Sequence, residues 1–548
     1  MSKIRNGFIM PVTGILLFIW LGVTGISHRA NAQESPPRAP EDPPYVVYLP
    51  LVQRLVLQAP VMKWQRGGCY SDACETGWYA SPAVADLDSD GRAEVIGTNY
   101  LYSLVIIDAE TGGLERRVNP EDERVWPSVI IADLDGNGSQ EIVTANYGGF
   151  VYVFDRDGTH LAWSRQPTES ELRGLSVYDL DADGTLEIVA TAASRSYTST
   201  WVFEHDGSLR PGWPQLDNDN GFAWGVFNDN VAIGDLDNDG LGEIVVPTDM
   251  HFIQAYEADG RQIPAHDMYG GVGWGEVGVW ESMTAELRGW GYCNGMRSED
   301  YRANFADSPA NIVDMNGDGK IEVVSTGNVY DCDAGYPPSR YIGLFIFNAD
   351  RSRFVSDGYD WRQAPVDTGP PLSEDYGVIE NVAPNPVTVD LDGNGELEVL
   401  FPSYDGRMHA FWLDKTEHGN WPFSVFDPSE GIYRLASEPV VADLDDNGLA
   451  EVIFATWAQK GSNRSGALVI LDYLGNLIHQ VQLPLAVNAT WNGALAAPTL
   501  ANIDSDPDLE IILNTAHSGY MAYDLPGTSR ARVLWATGRG SYWRNGSR

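Results

Sequence analysis

Residues 81–96 read SPAVADLDSDGRAEVI: a short apolar run, an acidic loop, and a second apolar run. Within it, Asp86, Asp88, Asp90, Gly91 and Glu94 hold positions 1, 3, 5, 6 and 9 of a nine-residue pattern. The pattern returns with Asp133, Asp135, Asn137 and Glu141, and then with Asp179, Asp181, Asp183 and Glu187. Further copies carry Asp235, Asp237, Asp239 and Glu243; Asp314, Asn316, Asp318 and Glu322; and Asp390, Asp392, Asn394 and Glu398. The seventh has Asp443, Asp445, Asn447 and Glu451, and the eighth Asn502, Asp504, Asp506 and Glu510. One D-x-D-x-D-G is an ordinary polar turn. Eight copies, each with an acid at position 9, call for a common chemical cause.

That cause is a hard cation. Side-chain oxygens at positions 1, 3, 5 and 9, with the carbonyl of position 7, can surround an ion much as the first part of an EF-hand loop does. Glycine at position 6 permits the sharp turn. Calcium suits a flexible set of six or seven oxygens with no soft ligand, so about seven or eight calcium ions per chain are expected. The eighth loop is expected to be weak or empty, because Asn502 removes a charge and Pro507 replaces the glycine.

Each loop sits between β-type runs, PAVAD before and EVIG after in the first copy, so it joins two adjacent strands, A and B. Runs such as LVIIDAE and FVYVFDRDG supply a third strand, and a Gly-bearing turn leads to a short fourth. The shortest spacings between loops, 47 residues from Asp86 to Asp133 and 46 from Asp133 to Asp179, hold one four-stranded unit each. The fold class expected is therefore all-β, a β-propeller of four-stranded antiparallel blades, eight in number with seven as the alternative. VMKWQRGG from Val61 and RVLWATGRGSYW from Arg532 both look like strands leading into an A strand, so one of them is expected to complete a blade begun at the other terminus.

The D-x-D-x-D-G-x-x-E loop and the blade-length period resemble the FG-GAP/VCBS repeats, known best from the propeller of integrin α chains. The resemblance spans about residues 60–548. It implies Ca²⁺ bound through positions 1, 3, 5 and 9, the residues named above, and a role in adhesion or ligand binding. Some calcium-bearing propellers of eight blades are polysaccharide lyases, so the resemblance also leaves an extracellular lyase or glycoside hydrolase open.

The rest of the chain narrows this. With 35 Lys+Arg against 77 Asp+Glu the formal charge is −42, while 43% hydrophobic residues suffice for a core. Nucleic acid as a partner is excluded by that charge. Lys3 and Arg5, an uncharged stretch over Phe8–Ser27 and the small-x-small site Ala30-Asn31-Ala32 read as a signal peptide over 1–32, cleaved after Ala32, with an uncleaved anchor as the alternative. A Pro-rich spacer and lead-in strand follow over 33–59, then the propeller over 60–548. The expected product is secreted or at the cell surface, monomeric, and not inserted in the membrane after cleavage. Cys69, Cys74, Cys293 and Cys332 favour disulfides over zinc in an exported chain, and 69–74 with 293–332 is one of three possible pairings.

Two stretches break the repeat, at about 247–307 and 325–383, where 71 and 68 residues separate successive loops against 38 in a compact repeat. The first carries Asp249, His251, Trp274, Glu276, Trp280, Glu281, Glu286, Arg288, Trp290, Tyr292, Arg297, Tyr301 and Arg302. That mixture suits either a carbohydrate- or protein-binding surface or a small core packing the insertion onto its blade. No G-x-S-x-G, H-E-x-x-H or P-loop is present. The expected function is a non-catalytic binding or adhesion module for an extracellular carbohydrate or protein, with the insertions forming its face.

Overall fold

The computed structural model describes residues 57–547, except 70–73, 100–103, 119–122, 195–197, 216–225, 227–229, 289–299, 332–338, 357 and 366–368. The signal-peptide and most of the spacer reading, and Cys293 and Cys332, lie outside the described residues. Cys69 and Cys74 face each other as backbone partners in a two-residue antiparallel ladder. No helix among the described residues is long and apolar enough to cross a membrane.

The architecture is an eight-bladed β-propeller, and the residues after each acidic loop show why. Position 9 opens strand B in seven blades and is followed by two apolar residues that point to opposite faces of the blade. In blade 1, Val95 packs towards blade 8 and Ile96 towards blade 2. Ile188 and Val189 do the same for blade 3, Val323 and Val324 for blade 5, and Ile511 and Ile512 for blade 8. Both faces of every sheet are thus buried, and the core is divided into eight apolar clusters, one at each blade-to-blade interface. The cluster joining blade 8 to blade 1 makes the ring continuous, so the seven-bladed alternative is set aside.

Blade 1 is typical, with strands Ala83–Ala85, Glu94–Thr98, Leu104–Asp108 and Leu114–Val118 paired in that order. Blades 2, 6 and 7 repeat it. In blades 3, 4 and 5 the described fourth position is reduced to isolated bridges such as Phe203 with Leu209, Tyr256 with Gln262 and Phe347 with Arg353. Blade 8 takes its outermost strand from the other end of the chain: Val61–Arg66 pairs with Tyr520–Leu525.

The second terminal strand does something else. Arg532–Trp535 pairs with Val440–Asp443, the inner strand of blade 7, and the chain then runs on along the axis. Leu500 of blade 8 donates to Ala536 O (2.8 Å), Val177 of blade 3 to Trp543 O (3.0 Å), and Ile233 of blade 4 to Asn545 O (2.9 Å). Ile312 of blade 5 donates to Gly546 O (3.0 Å). The fully buried Arg544 guanidinium reaches Val129 O, Ser81 O and Pro82 O in blades 2 and 1. The C-terminal segment is therefore a plug that satisfies inner-strand groups facing the axis.

In the span 247–307 the structure places strand Ile253–Tyr256, two 3₁₀ turns, one helical turn (Met283–Glu286) and strand Tyr301–Asn304, which pairs with the far half of Glu322–Asp331. Trp274 and Trp280 are fully buried, and His251 packs against Trp280 with ring centroids 5.6 Å apart. Buried Glu286 bonds Arg353 (2.6 Å) and faces Arg351 (3.4 Å), so an ion cluster ties the first insertion to the second. The aromatics described there build a small core of their own. Trp290, Tyr292 and Arg297 lie outside the described residues.

Candidate functional site

The thirty-two residues singled out by the repeat all fall in or beside the turns between strands A and B. Loop 1 shows the local logic. Asp86 accepts the amides of Asp90 (3.1 Å) and Gly91 (3.0 Å), and Asp88 accepts Asp90 N–H (3.0 Å). Gly91 adopts φ of +86°, and the glycines at position 6 of the first seven loops all lie between +82° and +91°. A Cβ there would meet no atom within 4 Å, so glycine is required by the backbone angle and not by space. Position 9 is tied in all eight loops by the same bond: one carboxylate oxygen accepts the amide of position 2, as Glu94 does from Leu87 (2.7 Å) and Glu510 from Ile503 (2.8 Å).

That bond leaves the other oxygen of position 9 facing into the loop. In loops 3 and 4, Glu187 and Glu243 are buried and their Oε1 atoms have no hydrogen-bond partner among the described residues. Asp445 Oδ1 in loop 7 is likewise buried and unpartnered. In loops 1 to 4, three acidic oxygens come within 4.8 Å of one another. Burial, opposed by the Leu236 amide and reinforced by Asp237, pushes the Glu243 carboxyl up to about 8. Glu398 and Glu451 are raised to about 8 for the same reasons. A buried carboxylate oxygen without a partner, beside a cluster of more exposed Asp oxygens, is costly unless a cation compensates it, and the donor set is all oxygen. The loops fit a hard divalent cation.

A second feature lies at the other ends of the inner strands. Ser81, Ser128, Asn230, Asn385 and Glu438, which precede the A strands of five blades, line an axial pocket with about 760 Å³ of empty space, open solvent included. Its floor is the plug, through Gly538, Arg539 and Arg544. Its wall carries Tyr79 stacked on Trp126 (centroids 4.3 Å, 20°), with the Arg173 guanidinium 4.3 Å from the Trp126 ring. Arg173 is also ion-paired with Glu171 (2.7 Å). The Tyr79 hydroxyl donates to Glu380 (3.2 Å) and accepts Asn381 N–H (3.2 Å). Burial and the Glu380 charge push this phenol well above its usual range. No repeat announces this pocket, because each blade contributes a different residue.

One buried trio has the residue types of a catalytic relay. His409 Nδ1 lies 3.0 Å from Glu417 and Nε2 3.2 Å from Asp405. The ring is fully buried between Phe401 and Phe411, within the packing of blade 6, so no substrate reaches it. Burial alone would lower the imidazole; the hydrogen bonds to Asp405 and Glu417 override it and raise it to about 9. Burial also opposes ionisation of Asp405, and the His409 hydrogen bond and charge hold it below its usual value. A raised histidine contributes stability fully below its unfolded value of 6.5 and loses it as pH rises through about 9. That shift corresponds to ~3 kcal/mol. Urea midpoints measured between these pH values are expected to fall in the wild type and to flatten in His409→Gln; an equal fall in both would assign the effect elsewhere.

Residues 179–246 match the family model of an FG-GAP-like repeat. No curated protein matches the chain. Among solved structures, the computationally designed Ika8 protein aligns with a TM-score of 0.47 at 11% identity, over 85% of this chain and 99% of that one. The V. cholerae biofilm matrix protein Bap1 gives 0.39 at 12% identity, over 87% and 92%. A Bacillus licheniformis rhamnogalacturonan lyase gives 0.44 at 16% identity, over 87% and 76%. The loops and the blade packing identify the chain as an eight-bladed β-propeller, of which residues 179–246 match an FG-GAP-like repeat.

Proposed function

We propose that this chain is an exported, calcium-stabilised binding module that takes a carbohydrate in the axial pocket and performs no chemistry on it. The observation that carries the reading is the pocket's lining. Amides and a hydroxyl from different blades (Asn381, Asn385, Ser81) converge beside the Tyr79–Trp126 wall, a mixture of hydrogen-bonding groups and ring surface that suits a polyhydroxylated ligand. A formal charge of −42 disfavours polyuronate chains, so a neutral glycan is the better fit. Calcium in the loops acts on the frame, holding the strands that carry the pocket.

The lyase or hydrolase reading has its own support, since the pocket contains a tyrosine and arginines. Their state argues for binding. A general base works best with a pKa near the operating pH, whereas Tyr79 is held far above it and tied to Glu380 and Asn381. Arg173 is engaged by Glu171, and Arg539 and Arg544 by backbone carbonyls. Export rests on the Lys3–Ala32 pattern, and with it disulfides between the four cysteines and a monomeric product at or beyond the cell surface are part of the proposal.

Purified chain tested on a glycan panel is expected to retain at least one neutral polysaccharide and to release no unsaturated or new reducing ends. Trp126→Ala is expected to weaken retention at least ~10-fold, the equivalent of 1.4 kcal/mol. New chain ends that disappear in Tyr79→Phe would establish the enzyme reading. Retention unchanged in Trp126→Ala would remove the pocket as the binding site.

A further inference from the structure

The eight loops are not electrostatically equal, and the difference lies in what faces the inward oxygen of position 9. In loop 4 that oxygen, Glu243 Oε1, has neither a hydrogen-bond nor an ion-pair partner among the described residues. In loop 8 it meets an ammonium: Lys63 Nζ is 3.2 Å from Glu510 Oε1 and also bonds Asp504 Oδ2, the carboxylate of position 3. Lys63 comes from Val61–Arg66, the strand that closes the ring, and its side chain is 18% exposed. In loop 3 the inward oxygen, Glu187 Oε1, likewise has no hydrogen-bond partner among the described residues, but a guanidinium stands beside it at ion-pair distance. Arg210 Nη1 is 3.6 Å from Glu187 Oε1 and 3.2 Å from Glu204, and Nη2 is 2.8 Å from Asp181 Oδ2, again position 3. Its Nε donates to Ala258 O (3.1 Å), which fixes the fork in place.

Both cations thus contact positions 3 and 9, two of the side chains a metal would need. A divalent ion at the same carboxylates would stand within a few ångströms of a fixed positive charge and be repelled by it. The tethered group also holds its place at a high effective concentration, independent of free calcium. Loop 8 has adapted further: Asn502 Nδ2 donates to Asp506 O (2.6 Å), where Asp at position 1 of the other loops accepts amides. Loop 3 has not. Asp179, Asp181, Asp183 and Glu187 are a full acidic set, and by sequence alone it ranks with the strongest sites. Arg532 approaches loop 7 differently. It reaches Asp443 Oδ2 (2.9 Å) from the rim, 59% exposed, and makes no ion pair with Glu451 among the described residues.

We infer that Arg210 and Lys63 replace the metal in loops 3 and 8, so that the chain binds six divalent ions and closes its ring through a metal-independent Lys63 latch. The inference rests on the calcium reading above. Native mass spectrometry of the full chain, titrated with Ca²⁺ alone, is expected to saturate at six ions, and Arg210→Gln at seven. Hydrogen exchange supplies the second measurement. Chelation should speed exchange around loop 4 while strand Val61–Arg66 stays protected, and Lys63→Met should remove that protection even with calcium present. Saturation of the wild type at seven or eight overturns the inference and leaves calcium binding intact, as does an Arg210→Gln chain that folds and stays at six. A strand Val61–Arg66 that loosens on chelation to the same extent as loop 4 overturns the latch, and this holds even if Arg210→Gln fails to fold. No bound ion at any loop would remove the calcium reading itself.

Discussion

Chelating divalent cations from the purified chain lowers its melting temperature by roughly 15 °C. The size follows from linkage: a site held at about a hundredfold excess over its Kd adds ~2.7 kcal/mol to the folded state, and six such sites add on the order of 16 kcal/mol. Melting entropy near ~2.1 cal/mol/K per residue gives about 1 kcal/mol/K for the folded portion, hence about one degree per kcal/mol. The structural reason is the buried, unpartnered carboxylate oxygen in the loop, as at Glu243 and Asp445. Without a cation, such oxygens are left facing other acids, and burial raises Glu243, Glu398 and Glu451 to about 8. Calorimetry with and without chelator, followed by calcium restoration, measures the effect. Identical melting curves would show that the loops are turns and nothing more. Asp237→Ala should remove about one sixth of the shift, because each loop is local to one blade.

The second large effect is at the opposite end of the chain. Deleting residues 536–548 is expected to abolish the cooperative melt, since the amides of Leu500, Val177, Ile233 and Ile312 lose their acceptors and the inner strands of four blades face an open channel. Arg544 concentrates the effect in one side chain. Its guanidinium donates to Val129 O (3.1 Å), Thr537 Oγ1 (2.8 Å), Gly538 O (2.9 Å), Ser81 O (3.3 Å) and Pro82 O (3.2 Å). Burial lowers this guanidinium to about 10, against the opposing pull of Tyr542 and Glu438. Arg544→Met removes five bonds worth ~1 kcal/mol each and is expected to destabilise the chain by about 5 kcal/mol. Arg544→Lys should rescue little of it, because a single ammonium cannot reach acceptors spread around a planar fork. Urea midpoints of the two variants decide this; a truncated chain that melts where the full chain does would show the segment to be a passenger.

Much of this molecule is legible in the chain because each of its determinants is local. The spacing Asp86, Asp88, Asp90, Gly91, Glu94 sets a turn, its acid at position 9 opens a strand, and the apolar pair that follows, Val95 and Ile96, supplies one contact to each neighbouring blade. Repeating that unit eight times implies a ring, and Val61–Arg66 closing it was one of two strands the sequence offered. The insertion was readable only as a mixture of aromatic and charged residues. Its rings turned inward because a long stretch without a repeat must bury a core of its own, which Trp274, Trp280 and the Glu286–Arg351–Arg353 cluster provide.

Sequence by itself determined the acidic loop and the four-stranded blade, since both depend on residues close in the chain, and its count of repeats left eight blades or seven; the packing of blade 8 on blade 1 decided for eight. Tertiary structure alone decided which loops face a tethered cation, what fills the axis and where a pocket opens. Lys63 meets Glu510 across 447 residues, and Arg544 meets Ser81 across 463, separations that no period records. Such contacts exist only once the ring has closed and brought the inner strands of all the blades around one axis.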